Sequence, residues 1–157
     1  MIIRASEDRD YRKVISVIDD WWGGRNMADM LPHLFFKHFG DTCYIMEENG
    51  EMIGFLVGFI SQTHPEQAYI HFFGIHPDYR RMGYGKKMHQ FFFEQVKQRG
   101  CASVHLVTSI VNKTSIAYHT KIGFKIEEGD GVTDGVPVHL DYDGIGSRMV
   151  LFSMELS

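Results

Sequence analysis

Tyr118 and His119 stand side by side in the stretch NKTSIAYHTKIGF, Asn112 to Phe124. A histidine moves a proton near neutral pH and a tyrosine at mildly alkaline pH. The stretch reads as a short helix, on which sequence neighbours point about 100° apart. At most one of the two therefore faces a given reaction centre. A second chemistry-bearing stretch is HPDYRRMGYGKKM, His76 to Met88, where a strand ends at a proline and Arg80-Arg81-Met82-Gly83-Tyr84-Gly85 leads into a helix. Glycines at such a junction let the backbone approach a ligand, and the free N–H groups of the first helical turn point outward. Helix starts of this kind hold phosphates, with Lys86 or Arg80 able to add charge. The alternative is a helix preceded by a flexible turn. The nucleotide P-loop does not fit, because Lys86 is followed by Lys87 where that motif needs Ser or Thr. The dinucleotide pattern G-x-G-x-x-G fails as well, since Gly85 is followed by Lys86, Lys87 and Met88.

The surrounding elements must position these residues. After an apolar start at Ile2 to Arg4, Ser6 is placed to cap a helix whose apolar residues run from Val14 to Trp22, and Gly23-Gly24 stops it. A second helix is expected over Met27 to Phe39, with Pro32 near its first turn. Two β-rich runs flank Asn49-Gly50, the strongest short hairpin dipeptide. QAYIHFFGI is a third strand; Met88, Phe92 and Val96 mark the next helix, which Gly100 ends. ASVHLVTS, GFKIEE and SRMVLFSMEL read as strands, the last after a Gly- and Asp-rich excursion. The order β-α-α-β-β-β-α-β-α-β-β is mixed α/β, and no linker or repeat divides residues 1–157.

Composition narrows the function classes. A chain of 157 residues is long enough for one domain with a real core, and its net charge of −4 argues against a nucleic-acid surface as its main business. Cys43 and Cys101 are isolated thiols without metal or disulfide spacing, and the nine histidines show no ligand pattern, so no metal is expected. The apolar run Phe55 to Ile60 is far too short to cross a bilayer and the N-terminus lacks a signal pattern, so a soluble cytoplasmic protein is expected, without membrane partners. The aromatic helices and final strand leave monomer and homodimer both open.

Arg80 to Gly85 fits [RQ]-x-x-G-x-[GA], and this segment resembles the acyl-CoA pyrophosphate loop of the GNAT acetyltransferase superfamily. Element order, the strand end GIHPDYR and the spacing Asn112…Gly123-Phe124, similar to the family's N-x(10)-G-F, extend the resemblance over nearly the whole chain. It implies the GNAT fold: a central, mostly antiparallel twisted sheet of about seven strands, splayed in a V between the fourth and fifth strands and flanked by about four helices. It implies acetyl-CoA as co-substrate, its pyrophosphate on backbone N–H groups from Met82 to Lys86 and its pantetheine arm against the strand end Phe73, Gly74 and Ile75. A backbone N–H near Phe73 or Gly74 would polarise the thioester carbonyl. Asn112 and Ser115 open the helix on the cofactor side. The implied activity is acetyl transfer to a primary amine of a small molecule or peptide by direct attack in a ternary complex; an acyl-CoA-binding or sensing module is the alternative.

In the superfamily the proton donor to the departing thiolate is commonly a tyrosine seven residues after the Asn and four before the Gly, a position His119 holds here. Register thus sets His119 beside the thioester as the acid, with Tyr118 turned to the core. His71, which alternates with Tyr69, Phe73 and Ile75 if no bulge intervenes, is a candidate base for the amine or else a strand histidine packed beneath a helix. Acceptor residues are expected in DDWWGGRNM, with Trp21, Trp22 and Arg25, and in the acidic stretch Glu127 to Arg148, with Asp141.

Overall fold

The Asn49-Gly50 dipeptide forms the hairpin expected of it. In the computed structural model, which describes residues 1–157, both residues have positive φ (52° and 79°) and join strands β2 (Cys43–Glu48) and β3 (Glu51–Ile60). Antiparallel β1 (Ile2–Ala5) extends β2, and β4 (Gln67–Ile75) extends β3, giving a four-stranded meander. Helices α1 (Asp10–Trp21) and α2 (Leu34–His38) supply one layer, and α3 (Tyr84–Gln98) a second. These elements make one compact unit, Met1–Cys101; a second spans Ala102–Ser157.

In the first unit, Val14, Ile18 and Trp21 of α1 are buried with Leu31, Phe36, Ile45, Phe55, Val57 and Phe72. The opposite face receives Met88, Phe92 and Val96, the buried stripe of α3. Gly58 makes room for Phe92, since a Cβ there would lie 2.7 Å from the ring. Two helix boundaries differ from the pattern. Ser6 does not cap α1: its N–H bonds the Cys43 carbonyl, and the helix begins at Asp10, whose carboxylate accepts the Glu7 N–H. The expected helix over Met27 to Phe39 splits into a 3₁₀ turn at Ala28–Met30 and the short α2. Pro32 explains the break, because proline disfavours a helical predecessor and Leu31 lies outside the helical region at φ −126°, ψ 85°.

The second unit is built on β5 (Ser103–Ser109), antiparallel to β9 (Arg148–Glu155). The other edge of β9 carries β6 (Lys125–Ile126) and then β8 (Val136–Leu140). The Gly- and Asp-rich excursion is itself a hairpin, β7 (Gly131–Thr133) with β8, turning at Asp134-Gly135 with φ of 51° and 79°. Nine strands thus stand where about seven were expected.

Helix α4 (Lys113–Lys121) shows why the Asn…Gly-Phe spacing matters. The Asn112 side chain accepts the Ser115 N–H at 3.2 Å, capping the start. At the end, Gly123 (φ 111°) and Phe124 donate to the carbonyls of Thr120 and His119. That pair of bonds is a Schellman cap, usually accompanied by a contact between the residue after the glycine and the last turn. Here the contact is Phe124 against His119, ring centroids 5.6 Å apart.

Candidate active site

The first functional element is the start of α3. Gly83 caps the helix in the left-handed region (φ 84°), Arg81 also has positive φ (63°), and nothing lies within 4 Å of a Cβ built on Gly83. The first helical bond is Lys87 N–H to Gly83 O at 3.1 Å, and the N–H groups of Gly83, Tyr84, Gly85 and Lys86 make no backbone hydrogen bond. A glycine-lined fan of open amides at the positive end of a 15-residue helix, with Arg81, Lys86 and Lys87 exposed around it, fits a diphosphate. Lys87 sits 5.5 Å from the centre of the Tyr84 ring, and the Tyr84 hydroxyl donates to Glu48 at 3.3 Å, fastening the loop to the β2–β3 hairpin. Met82, 62% exposed, covers nothing here.

Sequence reasoning passed over His89. Its Nδ1–H donates to the Gly85 carbonyl at 2.9 Å, and its ring meets Phe73 edge-on at 4.4 Å. It therefore ties the loop to β4. The signal available was its position four residues after Gly85 on a helix.

Strand β4 does not keep the simple alternation. Val57 pairs with Phe72 but Gly58 pairs with Ile70, so His71 is an extra, bulged residue. Tyr69 stacks on Phe59 and His71 on Phe35, whereas Phe73 lies on the opposite side against His89. The His71 Nε2–H donates to the Met30 carbonyl at 2.7 Å, so the lone pair of a neutral ring is on Nδ1. At the end of β4, Gly74 lets Trp22 lie on the backbone: a Cβ would stand 2.5 Å from the indole. Ile75 is buried, and its carbonyl accepts from Arg80.

The expected acceptor residues separate. Trp21 is only 4% exposed and packs on Phe55 and His76, so its ring belongs to the core and offers no face to a ligand. Trp22 is half-buried over Phe55 and Phe72, and Arg25 is exposed. The carboxylate of Asp19 accepts the N–H groups of Met27 and Ala28 at 2.7 and 2.8 Å and thereby shapes that connection. In the second unit, Asp141 has positive φ (58°), and its carboxylate accepts the Gly146 N–H at 2.7 Å, closing a turn.

On α4 the burial of the proton carriers runs opposite to the register expectation. His119 is 7% exposed and packed on Phe124 and Phe152, while Tyr118 is half-buried. The Schellman contact is the cause, since it draws the last turn's third residue inward. The His119 Nδ1–H donates to the Ser115 carbonyl at 2.8 Å, with the Ser115 hydroxyl 3.2 Å away. The lone pair of a neutral ring is therefore on Nε2. Burial holds the His119 pKa below the usual histidine range against the opposing Ser115 bond. Burial pushes the Tyr118 hydroxyl up to about 12. At neutral pH the tyrosine keeps its proton and the histidine is uncharged.

The chain matches the acetyltransferase (GNAT) family model over residues 7–124. It is 27% identical to an acetyltransferase of Pectobacterium atrosepticum over 127 residues, 80% of this chain and 88% of the relative. A GNAT-family protein from Desulfovibrio desulfuricans superposes with a TM-score of 0.81 at 16% identity, over 99% of both chains. A Salmonella typhimurium protein solved with its cofactor acetyl-CoA gives a TM-score of 0.69 at 16% identity, covering 100% of this chain and 94% of that one. The chain belongs to the GNAT acetyltransferase family and has its mixed α/β fold. It is an acyl-CoA-dependent N-acetyltransferase with acetyl-CoA as co-substrate.

Proposed function

We propose that the chain transfers the acetyl group of acetyl-CoA directly to a primary amine of a small molecule or peptide within a ternary complex. The observation that carries this reading is the fan of open amides behind the left-handed Gly83, a diphosphate cradle built into the start of α3. Direct attack is supported by the state of the thiols. Cys43 is buried and pushed up to about 12, and burial also raises Cys101, so neither supplies a thiolate nucleophile at neutral pH. The amine nitrogen bonds to the thioester carbon, the carbon–sulfur bond breaks, and the sulfur leaves with its electron pair. The amine loses a proton and the thiolate gains one.

One residue on α4 supplies the proton to the thiolate in this reading. Tyr118, half-buried and protonated far above neutral pH, is the donor; His119, 7% exposed and packed on Phe124 and Phe152, holds the end of α4. His71, which donates its Nε2–H to Met30 and so keeps its lone pair on Nδ1, is the candidate base for the amine in this reading. The acidic stretch around Asp130, Asp134 and Asp143 favours a cationic acceptor by raising its local concentration.

The test is an initial-rate study with a panel of polyamines, amino acids, aminoglycosides and peptides, each product checked by mass for one added acetyl group. Intersecting double-reciprocal lines support direct transfer. Parallel lines, with an acetylated enzyme in the mass spectrum, overturn it.

A further inference from the structure

Arg80 opens the phosphate-loop motif, and the plain expectation is that its charge meets phosphate. The structure engages its guanidinium elsewhere. Nε donates to the Ile75 carbonyl at 3.0 Å, at the end of β4, and Nη2 donates to the Trp21 carbonyl at 2.5 Å, across 59 positions of sequence. Trp21 is the last residue of α1, where terminal carbonyls lack partners within the helix and a cation complements the dipole. The neighbouring carbonyls are already taken, Ile18 by the Trp22 amide, Asp19 by the amides of Trp22 and Gly24, and Asp20 by that of Gly23, and Arg80 takes the next one. Trp22, immediately beyond, is the side chain that lies on Gly74, one residue before Ile75.

We propose that Arg80 is a positioning residue: its two-point bond clamps the end of α1 to the end of β4 and so holds Trp22 over Gly74, and phosphate charge comes from Arg81, Lys86 and Lys87. The planar fork of arginine suits two carbonyls on different elements; lysine offers one point charge and satisfies only one of them. The proposal rests on acetyl-CoA binding at the α3 cradle only for the second half of its test.

The chain's two tryptophans are Trp21 and Trp22, so intrinsic fluorescence reads the clamp without any ligand. Arg80→Lys and Arg80→Gln are expected to red-shift the emission and increase acrylamide quenching, while Lys86→Gln leaves both unchanged. In calorimetry with coenzyme A as the probe, Arg80→Lys and Arg80→Gln are expected to bind within about twofold of the parent, with the same salt dependence. Lys86→Gln is expected to weaken binding about five- to tenfold and to flatten the salt dependence. The opposite pattern overturns the proposal: unchanged tryptophan emission in Arg80→Lys, together with a loss of about tenfold or more in Arg80→Gln. Failure of the unmodified chain to bind coenzyme A overturns the cradle instead, and the fluorescence comparison still tests the clamp.

Discussion

Substitution of Gly83 separates the stability of the α3 start from its ligand chemistry. Gly83 caps the helix at φ 84°, and nothing lies within 4 Å of the position a Cβ would take. A new side chain meets no clash, so Gly83→Ala is penalised only by the left-handed backbone, about 1–2 kcal/mol. For a chain of this size that lowers Tm by about 2–8 °C. Binding responds more strongly. A residue relaxing out of positive φ turns the amides of Gly83 to Lys86 away from their common focus, and each hydrogen bond to a charged group is worth about 1.5–3 kcal/mol. Loss of one such bond weakens coenzyme A about 10- to 150-fold. Gly83→Asn, which tolerates the left-handed region, is expected to recover most of the stability, and β-branched Gly83→Val to do worst in both measurements. Calorimetric titration with coenzyme A and a thermal melt on the same samples read both effects. A Gly83→Val protein with lowered Tm but coenzyme A affinity within about twofold of the parent would refute the assignment of phosphate to these amides. A Tm drop well beyond about 10 °C in Gly83→Ala would refute the claim of open space.

Three further outcomes follow from the geometry. Asn112→Ala removes the cap of α4 and is expected to cost about 1 kcal/mol, a Tm drop of about 2–4 °C, while Asn112→Asp stays close to the parent; equal melts for Ala and Asn would contradict the cap. Because burial pushes the Tyr118 hydroxyl up to about 12, it keeps its proton through neutral and mildly alkaline pH, and activity that depends on it is expected to hold across that range. Tyr118→Phe should lower kcat while coenzyme A affinity stays within about twofold, whereas an unchanged kcat speaks against the donor role. Asp10, 3% exposed, is raised by burial but lowered more by Arg4 and the Glu7 N–H, leaving it below 3.8. A depressed carboxylate stabilises above the unfolded pKa, so this contribution is intact above about pH 4 and lost as pH falls through the folded value. Asp10→Asn should melt lower at pH 7 and differ less from the parent near pH 2; a gap unchanged by pH would contradict the pairing.

The readable parts of the fold were those fixed by neighbours in sequence. Asn49-Gly50 declared its hairpin because both residues must accept positive φ, and the Asn112…Gly123-Phe124 spacing encoded both caps of α4. Asp134-Gly135 carries the same turn signal, masked by the many glycines and aspartates around it. What stayed hidden depends on partners far along the chain. The bulge at His71 exists only in register with Val57 and Gly58, and a single strand read alone predicts smooth alternation. Counting from Asn112 located His119 but not its direction, which Phe124 and Phe152 impose. The partners of Arg80 include a carbonyl 59 positions away, so its type suggested phosphate while its bonds lead to the backbone.

Acetyl transfer to an amine is read most directly as release of the coenzyme A thiol from acetyl-CoA, followed with and without each member of the amine panel. Release is expected to depend on at least one amine, to match the acetylated product in amount, and to fall sharply in Gly83→Val. Saturable binding of acetyl-CoA with no amine-dependent release across the panel would contradict it and leave an acyl-CoA-binding module in its place.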